Sequence, residues 1–189
     1  MTRIVDIAGS LRSGSYNAAL LREAAALVPK GCEIAAVSIA GIPLYDQDLL
    51  NRDGVPTAVL ELREALAAAD GLLLVTPEYN NSLPGVLKNA VDWASRPPAE
   101  IPQVFGDLPV AMVGAGGMSG TRFAQTAWLP VFRTLGMRPW SARMLFLDRA
   151  WERFDDDGRL RHGEDRERLT RLVGEFVAHC RGLPRARVG

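Results

Sequence analysis

The stretch Arg3-Ile-Val-Asp-Ile-Ala-Gly-Ser-Leu-Arg-Ser-Gly-Ser-Tyr-Asn17 joins a short apolar run to a loop of glycines, hydroxyls and one guanidinium. Residues Arg3 to Ala8 have the length and apolar content of a buried strand. The loop leads directly into a segment whose apolar residues recur at helical spacing, from Leu20 to Val28. The chain therefore opens with a strand, a glycine-containing turn and a helix, the order in which an α/β fold begins.

The same alternation continues along the chain. Strand-length apolar runs are separated by segments with helical periodicity, which is the pattern of a parallel sheet covered on both faces. We predict strands at Arg3 to Ala8, Glu33 to Ile39, Gly71 to Thr76, Leu108 to Val113 and Arg138 to Leu145. Each connection is then a right-handed crossover. The length predicts a single domain over residues 1–181, followed by a frayed tail over residues 182–189.

Three features depart from the regular pattern. Pro130 lacks a backbone donor and clashes with the preceding turn, so it predicts a kink or a restart of its helix near Leu129. Four prolines make the segment from Ser95 to Pro109 a predicted loop. Trp93 falls off the apolar stripe of its helix, which leaves two alternatives, a subunit contact and a partly covered surface side chain.

Composition argues against several classes of function. The 189 residues carry 22 basic and 22 acidic side chains, and arginines interleaved with acids lack the uncompensated charge that nucleic-acid binding requires. No apolar run approaches the roughly 18 residues of a membrane span, so we expect a cytoplasmic protein without a membrane partner. Two cysteines and two histidines, far apart in the sequence, give no support for a metal site.

The loop after the first predicted strand has the residue types that bind a phosphate. Ser10, Arg12, Ser15 and Asn17 supply hydroxyls, a guanidinium and an amide. The helix that follows offers its free N-terminal amides and its positive dipole end. Hydrogen bonds to charged groups contribute about 1.5 to 3 kcal/mol each. The alternative is that the glycines shape a turn and that Ser15 or Asn17 caps the helix.

Two further loops follow predicted strands at the same edge of the sheet, where ligands of open α/β sheets bind. The first runs Thr76-Pro-Glu-Tyr-Asn-Asn-Ser-Leu-Pro-Gly85 and is polar and aromatic. Its alternative role is that of a helix-entry loop with Ser82 as the cap. The second runs Gly114-Ala-Gly-Gly-Met-Ser-Gly-Thr121, which lets backbone approach a flat ligand closely. The alternative for the second loop is a simple turn.

Three motifs resemble the NADPH-dependent FMN reductase family, the flavodoxin-like quinone, azo-dye and chromate reductases. They are Gly-Ser-Leu-Arg-Ser-Gly-Ser-Tyr-Asn at 9–17, Pro-Glu-Tyr-Asn-Asn-Ser-Leu-Pro-Gly at 77–85 and Leu-Lys-Asn-Ala-Val-Asp-Trp-Ala-Ser-Arg-Pro at 87–97. The resemblance covers nearly the whole domain, and long motifs at the right separation make it specific. It implies an α/β, flavodoxin-like three-layer sandwich with a five-stranded parallel sheet of order 2-1-3-4-5.

The resemblance also implies the cofactor and its contacts. FMN would lie across the carboxyl edge of the sheet, with its phosphate on the first loop and its isoalloxazine ring along the second, held largely through backbone groups. The third loop would meet the other edge of the ring, and Ala115 stands where the family often carries serine. The residues implied are Ser10, Arg12, Ser15, Tyr16, Asn17, Pro77, Glu78, Tyr79, Asn80, Ala115, Gly116 and Gly117.

By the same resemblance, the expected activity is that of an FMN-dependent NAD(P)H oxidoreductase. A hydride from NADPH or NADH would pass to the flavin, and two electrons would then pass to a quinone, an azo compound, chromate or free flavin. The flavin carries the chemistry, so no catalytic acid or base is assigned. We expect a homodimer or homotetramer that acts on small-molecule acceptors. The alternative is a flavodoxin-type FMN-binding carrier of single electrons.

Overall fold

The structure is a computed structural model that describes residues 1–186. At its centre lies a parallel sheet formed by β1 (Thr2–Ala8), β2 (Cys32–Ala36), β3 (Gly71–Val75), β4 (Pro109–Ala115), β5 (Arg138–Pro139) and β6 (Leu145–Leu147). The strands lie in the order β2-β1-β3-β4-β5, with β6 also pairing with β4. This order confirms the predicted flavodoxin-like topology. In the register, Ile4 of β1 lies opposite Gly71 of β3.

The fifth position of the sheet is built from two short strands. The prediction of one continuous strand from Arg138 to Leu145 is wrong, because β5 and β6 pair separately with the beginning and the end of β4. Pro139 has no N–H to donate and is tolerated because it lies in an edge strand. After Trp140, which still donates to the Val110 carbonyl, the chain leaves the ladder until Leu145.

Helices cover both faces of the sheet, and residues suited to helix ends mark two of their boundaries. Ser15 caps the first helix through its hydroxyl, and Gly136 ends the sixth in the left-handed conformation that glycine adopts readily. The α-helices are α1 (Tyr16–Ala25), α2 (Gln47–Asp53), α3 (Thr57–Ala68), α4 (Gly85–Ala94), α5 (Ile101–Val104), α6 (Arg122–Leu135), α7 (Ala150–Arg153) and α8 (Gly163–Gly182).

Three helical segments differ from the prediction. Helix α2 was not predicted, and the segment from Ser95 to Pro109 is not entirely a loop, because it contains a 3-10 turn at Pro98–Glu100 and then α5. Helix α6 runs through Pro130 without a restart near Leu129, so the predicted restart is wrong, and a kink at that position stays a prediction. Pro130 and the preceding turn at Thr126 are exposed, and water can therefore satisfy the carbonyl that the proline leaves unpaired.

Alternate residues of β1 pack into two apolar cores, one on each face of the sheet. Val5 and Ile7 belong to the core that contains residues of α3, α4 and α6, whereas Ile4 packs with α1 and α8 on the other face. Trp93 of α4 is completely buried, so both alternatives that the sequence left for it are wrong. Its indole N–H donates to the carbonyl of Pro43, in a loop that covers the helix outside its apolar stripe.

The predicted tail is described as far as Ala186, and Arg185 within it is buried against the domain. Its guanidinium donates to backbone carbonyls near the ends of α3 and α5, among them those of Leu66, Val104 and Gly106. Residues 187–189 lie outside the described residues. Among the helices of residues 1–186, none combines the length and the apolar character that a membrane span requires.

Candidate functional site

The loops after β1, β3 and β4 meet at the carboxyl edge of the sheet and enclose a cleft of about 320 Å³. Small-molecule sites range from roughly 300 to 1,000 Å³. The predicted residue Asn80 borders a neighbouring recess instead of this cleft. Ala150 and Trp151 line the cleft although the sequence did not predict them. The predicted residues in the lining are Ser10, Arg12, Ser15, Tyr16, Asn17, Pro77, Glu78, Tyr79, Ala115, Gly116 and Gly117.

The loop after β1 brings hydroxyl and amide donors to the start of α1. Ser15 is the N-cap, and its Oγ accepts from the Ala18 N–H at 3.2 Å, which leaves its own hydroxyl proton to donate elsewhere. The amides of Tyr16 and Asn17 precede the first intrahelical hydrogen bond, and no acidic side chain occupies the first turn. The capping role considered for Ser15 is confirmed, and it coexists with a helix end that remains positively polarised.

Arg12 lies at the exposed rim of the same loop. Its Nη2 donates to the Gly14 carbonyl at 2.7 Å, and its guanidinium carbon lies 5.6 Å from the ring centroid of Tyr16. The ring of Tyr16 stacks in turn on Phe154, with the two centroids 5.6 Å apart. The contact with Gly14 uses one of the five N–H donors of the guanidinium, so the cation is held beside α1 with further donors for an anion.

Asn17 is buried and joins two elements of the cleft. Its Nδ2 donates to the Ala115 carbonyl at 2.8 Å, and its Oδ1 accepts from the Ala115 N–H at 3.0 Å. This reciprocal pair ties the first turn of α1 to the end of β4. Asn17 therefore lines the cleft, but its carboxamide is engaged with Ala115. Its backbone N–H, like that of Tyr16, has no acceptor among the described residues.

The loop after β3 forms the second wall. Tyr79 and Ser82 exchange backbone hydrogen bonds of 3.1 and 3.0 Å, which close a tight turn. Asn80 and Asn81 lie between them at φ values of 50° and 58°, a conformation that asparagine tolerates better than most residues. The Tyr79 hydroxyl lies 3.4 Å from the Oγ of Ser10, so the second wall reaches the first loop.

Glu78 directs its carboxylate to the start of α6. Its Oε2 accepts from the N–H groups of Phe123 at 2.8 Å and Ala124 at 3.1 Å, and its Oε1 accepts from the hydroxyl of Ser119. Glu78 borders both the cleft and the recess that contains Asn80. Its negative charge is therefore compensated by a helix N-terminus beside the cleft.

The glycine loop after β4 is held by the chain that leads into α7. The Gly116 N–H donates to the Leu147 carbonyl at 2.9 Å, and the Gly116 carbonyl accepts from the Ala150 N–H at the same distance. The Gly117 carbonyl accepts from the Arg149 N–H at 3.0 Å. These three hydrogen bonds fix the backbone of the third wall without using any side chain of the loop.

Trp151 completes the third wall. It is about half exposed and follows Arg149, whose left-handed conformation, at φ 44°, turns the chain into α7. Arg153 braces this turn by donating to the carboxylates of Asp148 at 2.6 Å and of buried Asp165 at 3.1 Å. The hydrogen bond from Arg153 holds the pKa of the Asp148 carboxyl below its ordinary value. A left-handed residue other than glycine gives no sequence signal, which is why this wall was not predicted.

The lining suits an elongated ligand with an anionic end and a flat end, as FMN has. Hydroxyl, guanidinium and amide donors surround the start of α1, and Glu78, the carboxylate of the lining, is engaged with α6. At the other end, a Cβ added to Gly117 would meet nothing within 4 Å, so the glycine loop is open to a flat ring. Within residues 1–186, no three His, Cys, Asp or Glu side chains are grouped to hold a metal ion.

Known proteins match the chain over nearly its whole length. The sequence model of the NADPH-dependent FMN reductase family matches residues 2–152. An NAD(P)H-dependent FMN reductase of Pseudomonas aeruginosa is 46% identical over 182 residues, 96% of each chain. A 2-hydroxy-1,4-benzoquinone reductase of a Burkholderia species is 36% identical, with 95% of this chain and 96% of the relative aligned. The solved flavoenzyme FerB of Paracoccus denitrificans, an NAD(P)H:(acceptor) oxidoreductase, has a TM-score of 0.85 and 28% identity, covering 96% of this chain and 98% of FerB.

Proposed function

The chain belongs to the NADPH-dependent FMN reductase family, and we propose that the cleft at the carboxyl edge of its sheet is the FMN site. It is an oxidoreductase whose cofactor is FMN and whose reductant is NAD(P)H. One observation carries the assignment of the cleft: hydroxyl, guanidinium and helix N-terminal donors converge at its α1 end, where the first turn contains no acid.

The phosphate of FMN is held at the start of α1. Ser10 and Ser15 donate hydroxyl protons, and Arg12 supplies a cation with several donors. The backbone amides of Tyr16 and Asn17 add the helix contribution. A phosphate dianion needs several such donors at once, and each charge-assisted hydrogen bond contributes about 1.5 to 3 kcal/mol.

The isoalloxazine ring lies between the loop after β3 and the glycine loop. Pro77 and Tyr79 line one side, Gly116 and Gly117 line the other, and the contacts are largely with backbone. Ala115 provides no hydroxyl, and its own N–H and carbonyl are engaged with Asn17. The glycine loop therefore holds the ring through shape and backbone, and Asn80 contributes from the adjacent recess.

FMN bound in the cleft would supply the two-electron chemistry that connects a nicotinamide hydride donor with a second substrate. The chain binds and orients the cofactor and leaves one face open, since hydride transfer needs reacting atoms about 3 to 3.5 Å apart. No side chain is assigned as an acid or a base, because Glu78, the carboxylate of the described lining, is engaged with α6. The protein binds and orients the cofactor and sets the electrostatic field around it, and the cofactor contributes the chemistry.

A quinone is the acceptor we favour among the quinone, azo, chromate and free-flavin acceptors of this family. The recess beside the cleft is bordered by the exposed side chains of Met118 and Phe123 and by the polar residues Glu78, Asn80, Asn81 and Ser119. A border that combines apolar side chains, neutral polar groups and one carboxylate suits an uncharged planar ring with carbonyl oxygens better than an inorganic oxyanion. The similarity to a 2-hydroxy-1,4-benzoquinone reductase supports the same choice.

The proposed assembly is a homodimer or homotetramer in the cytoplasm. Tyr79 at the cleft and Met118 and Phe123 at the adjoining recess are exposed large apolar side chains, and a concentration of such side chains favours association of subunits. Light scattering after size-exclusion chromatography should give a multiple of 20.5 kDa. A monomeric mass would contradict the assembly and leave the assignment of the cleft untouched.

Reconstitution with FMN tests the assignment of the cleft. The purified protein should retain FMN, lose its visible absorption with NADPH under anaerobic conditions, and oxidise NADPH steadily when a quinone is present. Retention of FMN without NADPH oxidation would instead indicate the flavodoxin-type carrier of single electrons. A protein that does not retain added FMN would overturn both functions.

A further inference from the structure

Helix α6 has no N-terminal cap of its own. Thr121 occupies the cap position in the left-handed conformation, at φ 74°, and its side chain forms no capping hydrogen bond. Its Oγ1 instead accepts from Nε2 of Gln125 at 3.1 Å. The first turn of α6 contains no acidic residue either. The first amides and the positive end of this helix therefore need an acceptor from elsewhere in the chain.

Glu78 is that acceptor, although it lies 45 residues before Phe123 in the sequence. One carboxylate oxygen accepts from two consecutive amides of the helix, and the other accepts from the Ser119 hydroxyl. A capping hydrogen bond is worth about 1 kcal/mol, and a charged acceptor strengthens it. Three donors on one carboxylate leave the side chain a single orientation.

The contact joins two walls of the cleft. Glu78 lies between Pro77 and Tyr79, which line the β3 side, whereas Ser119 and Phe123 continue the glycine loop on the other side. The glycine loop is also tied to α1, through the reciprocal hydrogen bonds of Asn17 described above. The walls that border the flat end of the cleft are thus held at a fixed spacing by side chains from outside the glycine loop.

We propose that Glu78 is a positioning residue that sets the spacing between the β3 loop and the glycine loop, and through it the binding of the flavin ring. The proposal rests on the proposed function, because it takes FMN as the ligand of the cleft. Glu78 acts on the flavin indirectly, through its contact with α6. The positive end of this helix compensates the charge of the carboxylate, so we assign Glu78 no electrostatic role toward the flavin. The ring is therefore held by two walls that this carboxylate joins beyond the ends of β3 and β4.

Four variants test this role. Glu78→Ala removes the contact, Glu78→Gln keeps an oxygen for the helix amides and an NH2 for Ser119, and Ser119→Ala removes one of the three donors. Asp46→Ala is the matched control, because Asp46 caps α2 by accepting from the Asp48 N–H away from the cleft. Three quantities are measured for each variant: amide hydrogen exchange at Phe123 and Ala124 in the FMN-free protein, the Kd for FMN, and the absorption spectrum of bound FMN.

Glu78→Ala should exchange both amides about tenfold faster and bind FMN about tenfold more weakly, with a shifted flavin spectrum. Glu78→Gln should recover most of the affinity and the spectrum. Ser119→Ala should weaken binding about threefold. Asp46→Ala should leave the Kd and the spectrum unchanged. This pattern separates a role in spacing the walls from the general loss of a helix cap.

Two results would overturn the positioning role. One is faster exchange in Glu78→Ala with an unchanged Kd and spectrum, which would reduce Glu78 to a cap of α6. The other is unchanged exchange, which would show that the contact does not stabilise the helix start. If Glu78→Ala does not fold, an unchanged Kd in Ser119→Ala overturns the role in the same way. Wild-type protein that fails to bind FMN overturns the proposed function itself, and the exchange data still decide the helix contact.

Discussion

The terminal backbone groups of the helices are left free at one edge of the sheet and are hydrogen-bonded by a side chain at the other. At the carboxyl edge α1 begins beside the cleft, with Ser15 as its cap and with the amides of Tyr16 and Asn17 available. At the amino edge the carbonyls that end α3 and α5 are covered by one buried guanidinium, that of Arg185. The open helix end lies where water or a ligand can reach it, and the closed ends lie where neither can.

The difference follows from the cost of an unpaired polar group. Water satisfies an exposed amide, whereas a buried group without a partner costs about 1 to 3 kcal/mol. Unpaired donors can therefore be kept for a ligand at the cleft, whereas a buried acceptor elsewhere destabilises the fold wherever it lacks a partner. The comparison predicts that changes away from the cleft alter stability, and that changes at the cleft alter FMN affinity.

Asp6 of β1 is a fully buried carboxyl without a hydrogen-bond partner among the described residues, and its substitution should change stability most. Burial penalises the charged form and raises the pKa of Asp6 from 3.8 to about 7. In the unfolded chain, the Asp6 carboxyl ionises near pH 4. Between pH 4 and about pH 7 the folded protein keeps Asp6 protonated whereas the unfolded chain does not, so the free energy of unfolding falls as the pH rises through this range. Asp6→Asn should be more stable than wild type by about 4 kcal/mol at pH 8, and by little at pH 4.

Denaturant unfolding of the FMN-free protein at pH 4, 6 and 8 measures this difference. Glu61→Gln is the control for the loss of an exposed acid, and its stability should stay within about 0.5 kcal/mol of wild type. A difference between Asp6→Asn and wild type that does not grow with pH would contradict an unpaired buried carboxyl. The cost that we assign to a buried polar group without a partner would then be wrong where it is expected to be greatest.

Arg185→Met tests the closed helix ends. The substitution keeps much of the apolar stem but leaves buried carbonyls unpaired, so the free energy of unfolding should fall by about 3 kcal/mol. The Kd for FMN should not change. Arg181→Met is the control, because exposed Arg181 donates to Thr2 and Lys30 and its loss should cost less than about 1 kcal/mol. Weaker FMN binding by Arg185→Met would break the separation between the two edges.

Arg12→Ala combined with Ser15→Ala tests the open helix end. Losing the cation and one hydroxyl should raise the Kd for FMN about a hundredfold, or about 2.7 kcal/mol. The loss of the cap should lower stability by only about 1 kcal/mol. Ser13→Ala is the matched control, because Ser13 is exposed in the same loop and does not line the cleft. Unchanged FMN retention by the double variant would remove the phosphate site from this loop.

Much of the fold could be predicted because it depends on short contiguous segments. The central strands β1, β3 and β4 are largely apolar runs, and a parallel topology brings the loops that follow the strands to one edge. Beside the local errors at α2, α5 and Pro130, two errors concern contacts between separate segments. Trp93 lies off its apolar stripe yet is buried, because the loop at Pro43 covers it. The fifth strand breaks after Pro139 because β4 has two separate partners.

The site could be predicted to a similar extent. The three loops were found because each follows a strand and carries unusual residues, and Asn80 alone of the predicted set fell outside the described lining. The contact of Glu78 with α6 could not be foreseen, since it joins residues 45 and 46 positions apart. The wall at Trp151 depends on the left-handed backbone of Arg149. The sequence therefore identifies the loops that form the cleft, and the structure is needed to find the hydrogen bonds that join one loop to another.

Substitution of Trp151 should change FMN binding least among these variants, and it tests apolar contact in the cleft apart from the donors of α1. Its half-exposed ring adds contact area to the third wall, whereas α1 adds hydrogen-bond donors. Trp151→Ala should raise the Kd for FMN about fivefold, since an aromatic contact contributes roughly 1 kcal/mol, and Trp151→Phe should restore most of the affinity. Titration of FMN fluorescence measures both. Equal affinity of wild type and Trp151→Ala would mean that α7 does not contact the cofactor, and binding would then depend on the open helix end and the two remaining walls.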